Sequence, residues 1–402
     1  MQTEVPDGVA VHADSRMPVL DVLRGIALIG VLLVNIYDWL AKPSGVADSF
    51  VQGVVNLLFE HKSWPMLSLL FGLGFAIQIE RARAKGLPVV WMHLRRMAVL
   101  CGFGIILLVL FSGNPILVRY AAAGLLLLPF AWLPTRWVLG FTVAFLLIST
   151  VDSYLYQKYI QPPRPARPQT AAQPRSQPSL AEVTMSGFKR VPQMLRNVAT
   201  LGYWPGRQTE ILTMFLLGLY VGKRGILLDL RAHRPMLRRI VRYVLPVGLA
   251  GTIWLMFWQF SRTDPVSVRL LRRLVSLLAG DLQSIGYVAA ITLFVLTKGS
   301  RPLNLLALYG RMPLTNYLMQ WLIMRLIFDR FFFGYGGKFG PAAGAWIALV
   351  IFTAQVLFSR VWLQRYMFGP AEWLWKSLTY LRRQPMRLKQ SEPSIATDPA
   401  MA

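Results

Sequence analysis

Apolar residues in this chain run in long blocks rather than alternating or recurring at short intervals. The blocks fall near 19–39, 63–80, 97–113, 116–134, 136–156, 209–226, 240–260, 275–297, 312–333 and 341–362. Uninterrupted apolar runs of roughly 17–25 residues match the length of helix that crosses a bilayer core. The pattern predicts an all-α, polytopic helical membrane protein with about ten transmembrane helices. Ahead of the second block an amphipathic stretch reaches back to about Val51 and predicts a segment lying along the interface.

The polar positions inside these blocks are the exceptions that carry information. The first block holds Asp21, Arg24, Asn35 and Asp38. At 3.6 residues per turn the four share roughly one face, spread along about 25 Å of helix. Polar groups at that depth are costly and face a bundle interior or a water-filled cavity. Two readings follow: a structural seam in which Asp21 and Arg24 pair, or the wall of a site or passage across the bilayer. The eighth block contains Asp281 and Gln283. The ninth contains Thr315, Asn316 and Gln320 on one face, either joining helices or holding a substrate, with Arg311 at its start.

Charge orients the spans. Of 402 residues, 43 are Lys or Arg and 18 are Asp or Glu, a net charge of +25. The cationic residues cluster beside apolar blocks, where lipid headgroups and the positive-inside rule account for them, so no nucleic-acid partner is expected. Loops 81–96 and 223–239, together with Lys298, Arg301 and Arg311, share one side of a ten-span chain with both termini, which is therefore the cytoplasm. The short connection Ser112-Gly-Asn-Pro115 on the other side lacks basic residues. The basic loop 157–208 falls outside and fits the rule poorly.

The organisation expected is a cytoplasmic segment 1–18, a membrane block 19–156, the extracytoplasmic loop 157–208, a second block 209–380, and a disordered cytoplasmic tail 381–402. Within the loop, 161–178 is rich in Pro, Gln and Arg and reads as disordered. Residues 180–206 have the apolar positions of an interfacial helix. No cleavable leader is evident, so the first span reads as an uncleaved signal anchor. The single cysteine, Cys101, excludes an intrachain disulfide. No phosphate-binding loop, metalloprotease motif or nucleophile elbow is present, and no metal is expected. Gly72 and Gly74 read as close helix packing.

Several segments resemble the YeiB-type membrane proteins, a domain of unknown function (418) grouped with transmembrane acyltransferases. They are Leu20-Asp-Val-Leu-Arg-Gly-Ile-Ala-Leu-Ile-Gly30 with Val34-Asn35, and Leu67-Ser-Leu-Leu-Phe-Gly-Leu-Gly-Phe75. Further on come Gly286-Tyr-Val288, Gly310-Arg-Met-Pro-Leu-Thr-Asn-Tyr-Leu-Met-Gln320 and Gly369-Pro-Ala-Glu-Trp-Leu-Trp-Lys-Ser-Leu-Thr-Tyr380. The resemblance implies a bacterial inner-membrane protein that takes an acyl, most simply acetyl, group from cytoplasmic acyl-CoA. The group would pass to an extracytoplasmic small-molecule or glycan acceptor, among membrane lipids. Asp21, Arg24, Asn35, Arg311, Asn316 and Gln320 would bind substrate.

One departure matters. The family's histidine along the third span falls at about Leu107 here, and its Gly-Asp pair falls on Asn114-Pro115. If that histidine is the family's base, it is lost or relocated here. Of the four histidines, His12 lies in the N-terminal segment, and His93 and His233 lie in cytoplasmic basic loops. His61 alone falls outside, where an imidazole suits proton abstraction. Glu60 and Lys62 beside it match the family pattern, whereas His61 does not. Asp38 is the substitute. The alternatives are a transporter or flippase of a lipid-linked or small amphipathic molecule, and a catalytically inactive family member.

Overall fold

The computed structural model describes residues 17–111, 116–155, 180–199, 207–226, 229–258 and 265–387. His12, the 112–115 connection, the Pro-rich 161–178 segment and the tail from 388 lie outside them. The helices are α1 (Pro18–Ile36), α2 (Val46–Leu58), α3 (Ser63–Ala84), α4 (Val89–Phe111), α5 (Ile116–Leu127), α6 (Thr135–Leu155), α7 (Leu180–Ala199) and α8 (Arg207–Lys223). They continue as α9 (Arg234–Arg239), α10 (Leu245–Phe257), α11 (Val266–Lys298), α12 (Asn304–Gly310), α13 (Pro313–Phe328), α14 (Pro341–Arg365) and α15 (Pro370–Tyr380). Proline recurs as the first helical residue, at Pro18, Pro313, Pro341 and Pro370. Its missing N–H removes no helical hydrogen bond there and its fixed φ is already helical.

The protein is an all-α membrane protein. Among the described residues six helices are long and apolar enough to cross a bilayer: 18–39, 46–84, 89–110, 234–257, 267–298 and 341–365. Each of the ten apolar blocks read from the sequence coincides with a helix, and 116–131 and 135–149 are shorter apolar helices. The amphipathic stretch ahead of the second block is α2. Of the 157–208 loop, α7 is described. It lies on the far end of α4, with Gly187 against the Val109 backbone and Val191 against Leu108 and Val118.

Side-chain contacts fix which helix ends lie together. At one end Trp39 stacks on Phe328 at 6.1 Å, and Asp48 Oδ1 accepts from the Ala342 N–H at 3.0 Å at the start of α14. At the other end Lys223 donates to the Ala131 and Leu133 carbonyls at 2.9 and 2.5 Å. There too the Trp375 indole donates to the Arg96 carbonyl at 3.0 Å. The second end carries the basic residues around the α3–α4 and α8–α9 turns, among them Arg81, Arg83, Lys85, Lys223 and Arg224, and we call it the basic end.

Glycines let the backbones approach. Gly72 of α3 abuts the Phe215 backbone of α8, and Gly218 answers it against Leu69 and Leu73, so α3 and α8 run side by side in the same direction. Gly25 of α1 meets Leu306 of α12, and Gly310 meets the Asp21 carbonyl. Helices from the two halves of the sequence therefore interleave in a single packed body. Its largest core runs along Leu28, Val31, Leu32 and Ile36 of α1 with Phe75, Phe215, Tyr309 and Met324.

Two expectations are corrected. The third span starts at Val89 instead of 97, so His93, Arg95 and Arg96 lie inside a helix, not a loop. His93 is 1% exposed, with Nε2 hydrogen-bonded to the Gly124 carbonyl at 2.8 Å and its ring 4.3 Å from that of Phe75. Three cationic or imidazole groups in one turn look like a loop to a hydropathy window, yet neighbouring helices supply their partners. His233 does sit at the surface, with Nδ1 against the Asp229 carbonyl at 2.8 Å.

Candidate functional site

At the basic end, side chains of four helices bring two guanidiniums together. Arg24 of α1 donates to Asp21, one turn earlier, at 3.0 Å. Its guanidinium passes over Gly74 of α3, where a Cβ would come 4.0 Å from Nη2. Arg96 of α4 lies within electrostatic range of Arg24 and donates to the Gln78 amide oxygen of α3. Its guanidinium stacks 4.6 Å from the centre of the Trp375 ring of α15 and 5.6 Å from that of Phe71. Arginine suits such a site because its planar face stacks on aromatics while its edge keeps donors for an anion. The Arg24 side chain is 31% exposed. Asp21 pairs with Arg24, and Arg96 brings a second guanidinium within electrostatic range of Arg24.

The polar residues of α13 do something different. Asn316 Nδ2 donates to the Tyr309 carbonyl at 2.9 Å and to Ser359 Oγ at 3.2 Å. Gln320 Nε2 donates to the Tyr309 hydroxyl at 2.7 Å, and that hydroxyl donates to Gln355 Oε1 at 3.3 Å. Gln355 Nε2 closes the ring on the Asn316 carbonyl at 2.9 Å. All five side chains are fully buried. The network joins α12, α13 and α14, and Gln320 Nε2 also lies 3.4 Å from the Leu28 carbonyl of α1. Arg311 lies at the junction of α12 and α13, partly buried. Asn316 and Gln320 join helices through these amide nitrogens, while Asn316 Oδ1 and Gln320 Oε1 are buried with no hydrogen-bond partner.

The start of α13 is capped from a distance. Glu372 of α15 accepts from the Leu314 and Thr315 N–H groups at 2.6 and 3.0 Å, and from the Thr315 hydroxyl at 2.5 Å. The first N–H groups of a helix have no partner within the helix and attract a negative charge. Burial pushes the Glu372 carboxyl above its ordinary range, and the Thr315 and Leu314 hydrogen bonds hold it partly down.

At the opposite end α1 stops at Ile36, and Asp38 sits exposed on the 3-10 turn Tyr37–Trp39. Asn35 is 4% exposed, and its Nδ2 has no hydrogen-bond partner. His61 occupies the α2–α3 turn at φ 60°, a left-handed conformation uncommon for a residue with a side chain. The turn is pinned by α11, where Ser284 Oγ donates to the Lys62 carbonyl at 2.9 Å and Gln283 Nε2 to the Leu57 carbonyl at 2.8 Å. Gly280 leaves room for the His61 carbonyl. The imidazole is half exposed and 3.8 Å from Glu60. Tyr37 lies within electrostatic range of Glu60, so the turns bearing Asp38 and His61 share this end. Beside them is a recess of about 190 Å³ lined by Tyr37, Leu40, Ala41, Lys42, Pro43, Gln52 and Pro341.

Between the two ends the polar stripe of α1 is interrupted. Leu28, Val31 and Leu32 are at most 2% exposed and packed into the core. The structure therefore groups Asp21 and Arg24 in one place, Asn35, Asp38 and His61 at the other end, and Asn316 and Gln320 in a structural network. Sequence reasoning counted Arg96 among loop cations and missed Gln78, Trp375 and Glu372 as partners. Trp375 and Glu372 lie in the near-terminal block, which was the available signal. Gln78, a single polar residue in an apolar helix, gave none. Leu107, at the position of the family's histidine, is 2% exposed in the core. Among the described residues no group of three or more His, Cys, Asp or Glu side chains is placed to hold a metal.

Comparison with known proteins adds the following. A family described as "Protein of unknown function (DUF418)" matches residues 221–382. The chain is 29% identical over 412 residues to the uncharacterized protein YxaH of Bacillus subtilis, covering 94% of this chain and 97% of that one. It is 30% identical over 384 residues to an uncharacterized 39.9 kDa protein in the amylase 3' region of Bacillus acidopullulyticus, with coverage of 94% and 97%. It is 26% identical over 420 residues to the uncharacterized protein YeiB of Escherichia coli, with coverage of 94% and 99%.

Proposed function

Because the chain belongs to the YeiB-type family, which carries the domain of unknown function 418, we propose that it is a bacterial inner-membrane acyltransferase with its basic end in the cytoplasm. Its donor is acyl-CoA, and its acceptor is an extracytoplasmic sugar or natural product. The observation that carries this reading is the pair of guanidiniums at the basic end, Arg24 held on Asp21 and Arg96 within electrostatic range of Arg24. A nucleotide phosphate pairs with them through charge-assisted hydrogen bonds. Gly74, without a side chain, leaves space above the Arg24 guanidinium. The acceptor waits at the other end, where His61 or Asp38 takes a proton from its hydroxyl or amine as it attacks the thioester carbonyl. The carbon–sulfur bond breaks and CoA leaves as the thiolate, which takes up that proton. Leu28, Val31 and Leu32 fill the route between, so the pantetheine arm advances only when α1 parts from its neighbours.

That filled route also supports a second reading. Two polar ends separated by a packed middle describe the occluded state of a transporter or flippase for a lipid-linked or small amphipathic molecule. Labelled acetyl-CoA supplied to membranes separates the two: an enzyme hydrolyses or transfers the acetyl group and a flippase leaves it intact. Arg24→Ala is expected to weaken acetyl-CoA binding about tenfold or more, the scale of one lost charge-assisted contact. His61→Ala is expected to slow transfer by roughly 10² at unchanged abundance. Transfer that survives His61→Ala but not Asp38→Ala moves the base to the carboxylate. An Arg24→Ala protein that folds poorly yet binds normally once stabilised makes the arginine structural and removes the cytoplasmic end of the proposal.

A further inference from the structure

At a left-handed φ the Cβ crowds the backbone, so a residue with a side chain persists there only where its surroundings hold it. Among the described residues two with side chains have such a φ, His61 at 60° and Leu381 at 50°. Leu381 is the C-cap of α15, an ordinary place for that conformation. His61 caps no helix, since α2 is capped by Phe59 and α3 begins at Ser63. Glycine would adopt this turn without a clash. The chain instead places an imidazole there, half exposed at the end opposite the basic one.

What holds it is a patch on α11. Gly280, Gln283 and Ser284 are neighbours on one face of that helix, and each meets a carbonyl around the turn. A Cβ at Gly280 would come 2.6 Å from the His61 carbonyl oxygen. Gln283 Nε2 donates to the Leu57 carbonyl at 2.8 Å, and Ser284 Oγ to the Lys62 carbonyl at 2.9 Å. From the turn itself, Lys62 Nζ reaches back to the Asn56 carbonyl at 2.7 Å. Gln283 and Ser284 are fully buried. The Gln283 amide is fixed in turn: Oε1 accepts from Thr252 Oγ1 of α10 at 2.9 Å, and Nε2 also donates to the Tyr287 hydroxyl at 2.5 Å. One hydrogen bond is enough to join two helices. Contacts to the carbonyls on both sides of residue 61, and to its own, fix the backbone of that residue.

We propose that Gln283 and Ser284 are positioning residues for His61: with Gly280 beneath, they keep the turn left-handed and so fix where the imidazole stands. Their part in acyl transfer rests on the reading of His61 as proton acceptor, whereas their hold on the turn does not.

Melting temperatures of the full-length protein in detergent test the hold. His61→Gly and His61→Ala both remove the imidazole and differ in their tolerance of a left-handed φ. His61→Gly is expected to melt about 1–2 °C above His61→Ala. Combined with Gln283→Leu, which lets the turn relax, the same pair should melt together or in reverse order, because glycine then keeps only its larger entropy loss on folding. Ser284→Ala is the milder arm if Gln283→Leu fails to fold, and it should narrow the gap. A gap equally wide in every background overturns the proposal, since α11 then only joins helices, and so does the lack of a gap in the otherwise native chain. Turnover of labelled acetyl-CoA tests the catalytic part. Gln283→Leu is expected to lower kcat by roughly 10²-fold, the scale of a catalytic group displaced by about 1 Å. KM for acetyl-CoA should not change, because Gln283 sits at the end opposite Arg24. Full kcat in Gln283→Leu beside its loss in His61→Ala rules out the positioning role. Full turnover in His61→Ala instead refutes the assignment of the base, and the melting comparison alone then decides the hold.

Discussion

Glu372 links two of the most distinctive sequence blocks in the chain, 310–320 and 369–380. Read along the sequence it is an ordinary acidic residue three positions into a helix. In the structure its carboxylate sits 8% exposed over the first N–H groups of α13. Glu372→Ala leaves those donors buried and unpaired, at a cost of about 1–3 kcal/mol. A lowered melting temperature in detergent is the expected readout. Burial raises the carboxyl's proton affinity in the folded state. The stabilisation from proton binding is therefore complete below the ordinary glutamate value, about 4.3, and is lost as pH rises through the raised folded value. Melting temperature should fall over that window in the wild type and lose this component in Glu372→Gln. An unchanged pH profile in Glu372→Gln would show that the carboxyl ionises as freely as on the surface. The residue's role was not legible in sequence, because its partners lie 57 and 58 positions away.

Among the helices, the pair α3 and α8 shows how small residues set the packing. Without a hydrophobic driving force between helices in lipid, close van der Waals contact and interhelical hydrogen bonds hold them together. Gly72, Gly218 and Gly222 provide the close contact. Gly72 and Gly74 look equivalent in the sequence, and the structure separates them. A Cβ at Gly72 would overlap the Phe215 backbone, whereas one at Gly74 would reach only the Arg24 guanidinium at 4.0 Å. Gly72→Ala should therefore lower the yield of monodisperse protein on size exclusion, since inserted methyls in a tight seam cost about 1–3 kcal/mol or more. Gly74→Ala should leave that yield unchanged. Equal yields from the two variants would refute the packing assignment.

For the molecule as a whole, the open matter is which end faces the cytoplasm. The basic α3–α4 and α8–α9 turns share one end, and the positive-inside rule sends that end to the cytoplasm. Reporter fusions after Arg83 and after Lys223 are expected to read cytoplasmic, and a fusion near Gln173 extracytoplasmic. A cytoplasmic reading at Gln173 would remove the ten-span arrangement. The interleaving of α8 against α3, and of α1 against α12, also means that the two halves of the chain do not form separate bodies.

The sequence by itself determined the class of protein and the helices. Apolar runs of bilayer length are a local property, and each became a helix because lipid leaves the backbone no other hydrogen-bond partners. The pairing of Asp21 with Arg24 was legible for the same reason, three residues apart on one helix face. Only the tertiary structure decided what the remaining polar residues do. Arg24 and Arg96 come within electrostatic range of each other from two helices, Asn316 and Gln320 turn into a network that joins three, and Leu28, Val31 and Leu32 close the stripe that α1 alone seemed to leave open. A side chain's periodicity states which face of its own helix it occupies. Its partners are set by packing between residues far apart in the chain, and that is where charge is balanced or left over.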